Sequence, residues 1–296
     1  MSPIKIGFLG FGEVASTLSK PLREHGAQVA AYDILLSQEG GKAILQRRAQ
    51  DPGIVFLSLP ALISHADYLL STVTTQMATQ VAQECAPYLK PGQVYLDLNS
   101  TSPAVKITIS QIVEATGADF VEGAILGAVG ISGARTAILT AGARGKEVAE
   151  RLTSLGLRVS YYRPEIGKAS LFKMLRSIFS KGVEALLLEM LLAGKRAGIA
   201  RDLWREINEL LSQNRFEQVA ANWIQSHAVA YERRYHEMVQ VSETMREIGV
   251  EPVMTAGTIA FFRRSLRLDW ETAFREKPTS MDQVIDFLVE QLQSEV

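Results

Sequence analysis

The stretch Ile4-Lys5-Ile6-Gly7-Phe8-Leu9-Gly10-Phe11-Gly12-Glu13-Val14-Ala15 constrains this chain more than any other. Its apolar start predicts a buried parallel strand, and the small-residue turn behind it opens into a helical pattern. Each small residue has a task. Gly10 permits a tight turn, Gly12 lets the backbone approach a pyrophosphate, and Ala15 is small enough for helix and strand to pack closely. The helix that follows points its free N–H groups and positive dipole end at phosphate. A second strand, Gln28-Val29-Ala30-Ala31-Tyr32, ends at Asp33, close to the roughly twenty-residue spacing at which an acid meets the adenosine ribose hydroxyls. This order predicts a dinucleotide site built from Gly10, Phe11, Gly12, Glu13, Val14 and Asp33.

Asp33 also bears on which dinucleotide is bound. A carboxylate there hydrogen-bonds a free 2′-hydroxyl and repels a 2′-phosphate, and Ile34, Leu35 and Leu36 supply no cation directly after it. NAD is the preferred cofactor on this reading. NADP stays possible, because Lys42, Arg47 or Arg48 can fold back to a phosphate, and Asp33 can also simply end a strand in solvent.

At 296 residues the chain is long enough for two cores. Its 31 Lys plus Arg balance 32 Asp plus Glu, so no field gathers nucleic acid or an anionic membrane, and small molecules are the expected partners. The single cysteine, Cys85, excludes an intrachain disulfide and a Cys-rich metal site, and His25 and His65 have no spacing partners for a metal. No metal is expected, and Cys85 reads as packing. Only Met1, Ser2 and Pro3 precede the first strand, so no secretory leader is expected and a cytoplasmic location follows. The most apolar helical run, Val183 to Gly194, is interrupted by Glu184 and Glu189 and falls short of the roughly 20 residues that cross a bilayer. It is expected in a protein core.

The helix from Glu13 to about His25 carries Pro21, which is expected to bend or shorten it. Strands are predicted at Ile54–Leu57, at Tyr68–Val73 before the loop Thr74-Thr75-Gln76, and at Gln93–Leu98 before Asn99-Ser100-Thr101-Ser102-Pro103. This alternation predicts an α/β fold, a Rossmann doubly wound and mostly parallel sheet, followed by an all-α C-terminal domain. Such sheets bind ligands beyond the carboxyl ends of their strands, which brings Val73, Thr74, Thr75, Ser100 and Thr101 to the cofactor side. Their hydroxyls either bind the ligand or cap the helices that follow. A strand near Asp119–Glu122 leads into a small-residue loop, Gly123 to Gly130; strands at Thr136–Thr140 and Leu157–Tyr162 flank a helix near Lys146–Leu155. Domains are expected at 1–163, dinucleotide-binding, and 164–296, all-helical for substrate binding and dimerisation. From Ile166 to Ala197 the pattern is helical and apolar nearly all round, which predicts a helix buried between domains.

Lys173, Ser177, Ser180 and Glu184 recur along one face of that helix. Either this face meets water, or the lysine is paired or used. From Gly7 onward the chain resembles the β-hydroxyacid dehydrogenase superfamily, which includes 6-phosphogluconate and 3-hydroxyisobutyrate dehydrogenases. The resemblance rests on Gly10 to Ala15, Leu98-Asn99-Ser100-Thr101-Ser102-Pro103, Glu122-Gly123-Ala124-Ile125-Leu126-Gly127-Ala128 and Gly167-Lys168-Ala169-Ser170-Leu171-Phe172-Lys173. The last two, with Arg233-Arg234-Tyr235-His236-Glu237-Met238, look most like an NAD-binding phosphogluconate-dehydrogenase-like branch.

The resemblance implies an oxidoreductase that moves a hydride between nicotinamide and a small hydroxy acid or its carbonyl counterpart, with Lys173 as general acid/base. It also implies a homodimer. Two departures stand out. Ser177 occupies the place of the family's usual Asn, and Leu126-Gly127-Ala128 that of its usual Ser-Gly-Gly substrate loop, which points to a different or more apolar substrate. Arg234 and His236 are further substrate-binding candidates, with Arg233 and His227 beside them, although Glu232 and Glu237 favour the plainer reading of a solvated, ion-paired helix face. The altered loop leaves an imine reductase as an alternative, and the lost Asn and Ser leave a non-catalytic dinucleotide-binding protein as another.

Overall fold

A computed structural model describes residues 3–294 and contains one eight-stranded sheet, ordered β3-β2-β1-β4-β5-β6-β7-β8. Its strands are β1 (Lys5–Leu9), β2 (Gln28–Tyr32), β3 (Val55–Phe56), β4 (Tyr68–Ser71), β5 (Val94–Asp97), β6 (Asp119–Ile125), β7 (Ile138–Ala141) and β8 (Val159–Arg163). All neighbours pair in parallel except β6 and β7, which pair antiparallel. The mostly parallel, doubly wound sheet expected from the sequence is therefore present. Chain order reverses between β1 and β4, and that is where ligands enter such sheets.

Helices cover both faces, as parallel strands require. They are α1 (Glu13–Glu24), α2 (Gly41–Ala49), α3 (Leu59–His65), α4 (Ala78–Cys85), α5 (Pro103–Glu114), α6 (Val129–Ser132) and α7 (Gly145–Ser154). On one face Ile6, Phe8, Leu18, Leu22, Leu70, Leu96 and Val121 pack together; on the other Leu9, Leu62, Leu69, Tyr95, Ile109 and Phe120 do so. Pro21 does not cut α1 short, because it lies in the last turn and the helix ends at Glu24.

The first of two corrections concerns β6. The sequence suggests a loop from Gly123, yet β6 continues through Ile125 and pairs Gly123 with Thr140 and Ile125 with Ile138. Gly123 is there because packing demands it: a Cβ would stand 2.5 Å from Leu98 Cδ2 and 3.1 Å from Leu96 Cδ1. Small residues in a strand mark close approach as readily as they mark a turn.

After β8 the described chain is helical: α8 (Lys168–Ala197), α9 (Ala200–Gln213), α10 (Phe216–Glu247), α11 (Val253–Ser265), α12 (Trp270–Ala273) and α13 (Met281–Ser294). The expected all-α C-terminal region is thus observed. The chain divides into two compact units after Ile178, inside α8. The first turns of α8 belong to the first unit because Ala169 packs on Ala124 and Ala141, while the Glu122 carboxylate accepts from Gly167 N at 2.6 Å and Ser170 N at 2.5 Å. In the second unit Trp270, Ala228 and Val284 form a core with Phe274, Phe287 and Tyr231 around them.

The second correction concerns α8. The sequence pattern predicts a buried helix, yet Leu175, Ile178, Phe179, Leu186, Leu188 and Leu192 are all exposed in the single chain, Ile178 at 71%. A 30-residue helix that is apolar on more than one side finds cover for only part of its circumference within one chain.

Candidate active site

At the end of β1 the chain turns at Gly10, whose φ of +81° lies in the left-handed region; a Cβ there would stand 2.9 Å from Val73 Cγ1 and 3.1 Å from Thr72 O. Gly10 N donates to Tyr32 O at 2.8 Å, and Thr72 Oγ1 donates to Gly10 O at 2.8 Å, so β2 and the residue just after β4 both grip the turn. Gly12 differs. It is extended, it heads α1 without any side-chain cap, and a Cβ there would meet nothing within 4 Å. Uncapped N–H groups facing open space at a helix N-terminus are what a phosphate needs, so these residues fit a dinucleotide.

Asp33 does not end its strand in solvent. Its Oδ2 accepts from Phe11 N at 2.8 Å and its Oδ1 from Leu35 N at 2.9 Å, which ties the acid to the glycine turn. Arg48 reaches back to the same turn, donating to Phe11 O at 3.4 Å. The Phe11 ring is fully buried and meets Phe8 and Phe56 edge-on, so only its backbone belongs to the turn.

Beyond the turn lies a cavity of about 480 Å³ lined by Glu13, Val14, Val73, Thr74, Thr75, Ser100, Gly127, Ala128, Lys173 and others. A smaller one of about 180 Å³ is lined by Asn99, Ser100, Thr101, Gly123, Ala124, Ser170, Lys173, Met174 and Ser177. Lys173 and Ser100 line both, and Lys173 Nζ donates to Ser100 Oγ at 2.6 Å. Burial, with the Lys106 ammonium as a second cause, lowers the pKa of Lys173 below that of an ordinary lysine. Ser177 Oγ donates to Lys173 O at 2.9 Å, one turn along α8.

The hydroxyl loops divide between the two roles open to them. Ser102 caps α5, accepting from Val105 N, whereas Thr74 makes no capping bond. Thr75 Oγ1 donates to Ser100 O at 3.4 Å, so the β4 and β5 loops touch. Thr101 Oγ1 and Asn99 Oδ1 are buried with no hydrogen-bond partner among the described residues. Leu126 is half-buried and outside both linings; Leu126 N donates to Ala137 O at 2.8 Å, extending the β6–β7 pairing.

In the second unit the candidates have partners of their own. Arg234 donates to Trp223 O at 3.1 Å and Ser226 Oγ at 2.7 Å on its own helix, and Arg233 pairs with Glu237 at 3.1 Å. His236 packs against the Tyr235 ring. His227 is a core histidine, 2.9 Å from Ser265 Oγ among Phe262, Trp270 and Tyr231, and burial pushes its pKa down to about 4. Cys85 is fully buried and burial pushes its thiol up to about 12, so its role is packing. Among the described residues no helix is long and apolar enough to cross a membrane, and no three His, Cys, Asp or Glu gather as for a metal.

Sequence reasoning missed what lies beneath the site. Lys106 on α5 is completely buried, 3.2 Å from Asp97 Oδ2, and donates to Asp97 O at 2.8 Å. Glu122 is completely buried nearby. A signal existed: Lys106 shares its helix face with Ile109, Ser110 and Val113, at spacings of three and four, and that face is buried.

A glycine turn at the switch point of a doubly wound sheet, with a lysine beyond the strand ends, defines an NAD(P)-binding domain of dehydrogenase type. Residues 5–162 match the NAD binding domain of 6-phosphogluconate dehydrogenase, and residues 195–265 match a domain of unknown function, DUF1932. The chain belongs to the former family and with it to the β-hydroxyacid dehydrogenase superfamily. It is 32% identical to MTH1747, a conserved protein whose structure reveals similarity with 3-hydroxyacid dehydrogenases; the match covers 88% of this chain and 96% of that one, with a TM-score of 0.61. A 2-(hydroxymethyl)glutarate dehydrogenase from Eubacterium barkeri is 26% identical over 69% of this chain and 68% of its own length. An imine reductase from Myxococcus stipitatus, solved with NADP+, is 16% identical, covers 89% of this chain and 94% of its own and has a TM-score of 0.72. Its V8 variant with NAD+ is 17% identical, covers 97% and 100%, and reaches 0.76. At that identity the likeness is one of fold. The sequence relatives of named activity are thus dehydrogenases.

Proposed function

We propose that this protein is an NAD(P)-dependent oxidoreductase acting on a small hydroxy acid or its carbonyl counterpart, with Lys173 as the proton-transfer residue. The observation that carries the reading is Lys173 Nζ, at 2.6 Å from Ser100 Oγ, on the shared wall of the two cavities. Gly10, Gly12, Glu13, Val14 and Asp33 would hold the dinucleotide, with Val73, Thr74, Thr75, Ser100 and Thr101 along the strand ends. The dinucleotide, when bound, supplies or accepts the hydride. A neutral Lys173 takes the proton of a substrate hydroxyl, and its ammonium returns one to a forming alkoxide; the lowered pKa makes both forms accessible. Ser100 orients the amine. Ser177 holds its hydroxyl toward Lys173 O and lines the smaller cavity, where Gly123, Ala124 and Met174 supply an apolar wall. Leu126, Gly127 and Ala128 form the altered substrate loop, and Arg234 and His236 are the second unit's candidates for a substrate carboxylate.

Asp33, tied to the glycine turn, supports a preference for NAD, since a carboxylate at this strand end would repel a 2′-phosphate, whereas Arg48 beside the turn is the group that would accept NADP. A homodimer would cover the exposed apolar residues of α8, and sedimentation as a monomer would refute it. The test of function is nicotinamide absorbance with NAD(H) and NADP(H) separately, on hydroxy acids, their carbonyl forms and cyclic imines. Turnover of hydroxy acids supports the reading. Turnover of imines alone replaces it with imine reduction, and tight dinucleotide binding without turnover replaces it with a non-catalytic role.

A further inference from the structure

Beneath the β5–α5 loop lies a buried ionic cluster that the reading above does not use. Lys106 from α5 has an unexposed ammonium, which contacts Asp97 Oδ2 at 3.2 Å, Asp97 O at 2.8 Å and Gly123 O at 3.3 Å. The Asp97 carboxylate in turn organises the loop above it: Oδ1 accepts from Asn99 N at 3.0 Å and from Asn99 Nδ2 at 2.5 Å. Asn99 Nδ2 also donates to Ser71 Oγ at 2.9 Å, which ties the loop to β4. The residue after Asn99 is Ser100, the hydroxyl to which Lys173 donates.

Keeping a lysine fully buried is costly, and an apolar residue there would commonly be neutral or stabilising. A packing role is therefore a poor reason for an ammonium at this place. We propose that Lys106 is a positioning residue of the reaction: through Asp97 and Asn99 it fixes Ser100 and Lys173 from below, and through Gly123 O, on the wall of the smaller cavity, it holds its own ammonium beside that cavity. The inference rests on the reading of Lys173 as the proton-transfer residue.

The charged groups around Lys173 in the first unit come from several elements. Glu13 of α1 lines the larger cavity with it; Lys106 lies on α5; Asp97 of β5 and Glu122 of β6 face Lys106; Lys168 and Arg176 share α8. Both Glu122 oxygens are taken by Gly167 N and Ser170 N, so the first turn of α8, whose Ser170 lies three residues before Lys173, is anchored on the same cluster. Lys106 is the charge that lowers the Lys173 pKa after burial itself.

The test reads Lys173 directly, without turnover. The intact protein is labelled with trace acetic anhydride across a pH series, and acetylation of the Lys173 peptide is followed by mass spectrometry. Lys106→Met keeps the stem and removes the charge. The proposal predicts that the Lys173 midpoint rises, the direction expected for loss of a nearby like charge. Lys106→Arg, which keeps the charge, leaves it in place. The limb of kcat that rises with pH in alcohol oxidation moves with the midpoint, while the KM for the dinucleotide holds. Should Lys106→Met fail to fold, K106M/D97N removes both partners and leaves an acceptor for Asn99 N; a smaller rise of the same sign is predicted. An unchanged Lys173 midpoint in the folded charge-removing variant overturns the proposal. The two readings fail separately: turnover retained in Lys173→Ala ends the catalytic role of Lys173, while the labelling shift still supports its coupling to Lys106.

Discussion

Gly10 and Gly12 stand two residues apart in one turn, yet the structure gives them opposite liabilities. Gly12 has φ −90° and ψ −156°, which any residue adopts, and nothing lies within 4 Å of the position a Cβ would take. Gly12→Val then costs the fold only a poorer helix N-cap, about 1 kcal/mol, or roughly 2–4 °C in Tm. On the proposed reading, the same side chain would occupy the space a pyrophosphate needs. Loss of one or two charge-assisted hydrogen bonds costs about 3 kcal/mol, a fall of roughly 100-fold in dinucleotide affinity. Gly10→Ala does the reverse. Its φ of +81° costs a side chain about 1–2 kcal/mol, and the 2.9 Å approach to Val73 Cγ1 adds to that, so Tm falls further. Calorimetric titration with NADH and NADPH, beside thermal melts of both variants, reads the two effects separately. If folded Gly12→Val binds either dinucleotide within about threefold of wild type, a difference under 1 kcal/mol, the turn only serves packing and the reasoning fails.

Three other expectations follow from single contacts. Asp33→Ser keeps a small acceptor at the turn but removes the charge; the ratio of NADP(H) to NAD(H) affinity rises by about tenfold, read by the same titration. Glu122→Ala strips the acceptor from Gly167 N and Ser170 N and leaves Lys106 with one fewer carboxylate nearby; stability falls by about 3 kcal/mol in denaturant melts, whereas a peripheral role predicts less than about 0.5. His227, with its pKa pushed from 6.5 to about 4, binds its proton more readily unfolded than folded. Its contribution is therefore complete above about pH 6.5 and is lost as pH falls toward 4; His227→Gln flattens the melting temperature across that window, and an unaltered pH profile would contradict this.

What could be read in the sequence was whatever local geometry dictates. The Gly10–Gly12 turn, the order of strands and the hydroxyls at the ends of β4 and β5 follow from turn chemistry and apolar patterning, which act over a few residues. Gly123 escapes such a reading because its smallness answers Leu96 of β5 and Leu98 just beyond it, a demand that no local pattern states. Lys106 and Glu122 lie in apolar phases of their elements, but their pairing with Asp97 and with the α8 N-terminus joins residues 9 and 45 or more positions apart. Helix α8 shows the converse: its apolar composition was plain, but composition does not say what covers a helix.

The central claim is that Lys173 transfers the proton. It is tested most directly by single-turnover nicotinamide absorbance on wild type and Lys173→Ala with the best substrate of the panel, across pH. The account predicts that the variant binds dinucleotide as wild type does but loses about 100-fold or more in the hydride step. The rate of alcohol oxidation by wild type should rise with pH through a midpoint below that of a free lysine. A Lys173→Ala rate equal to wild type, with the same pH profile, would contradict the account.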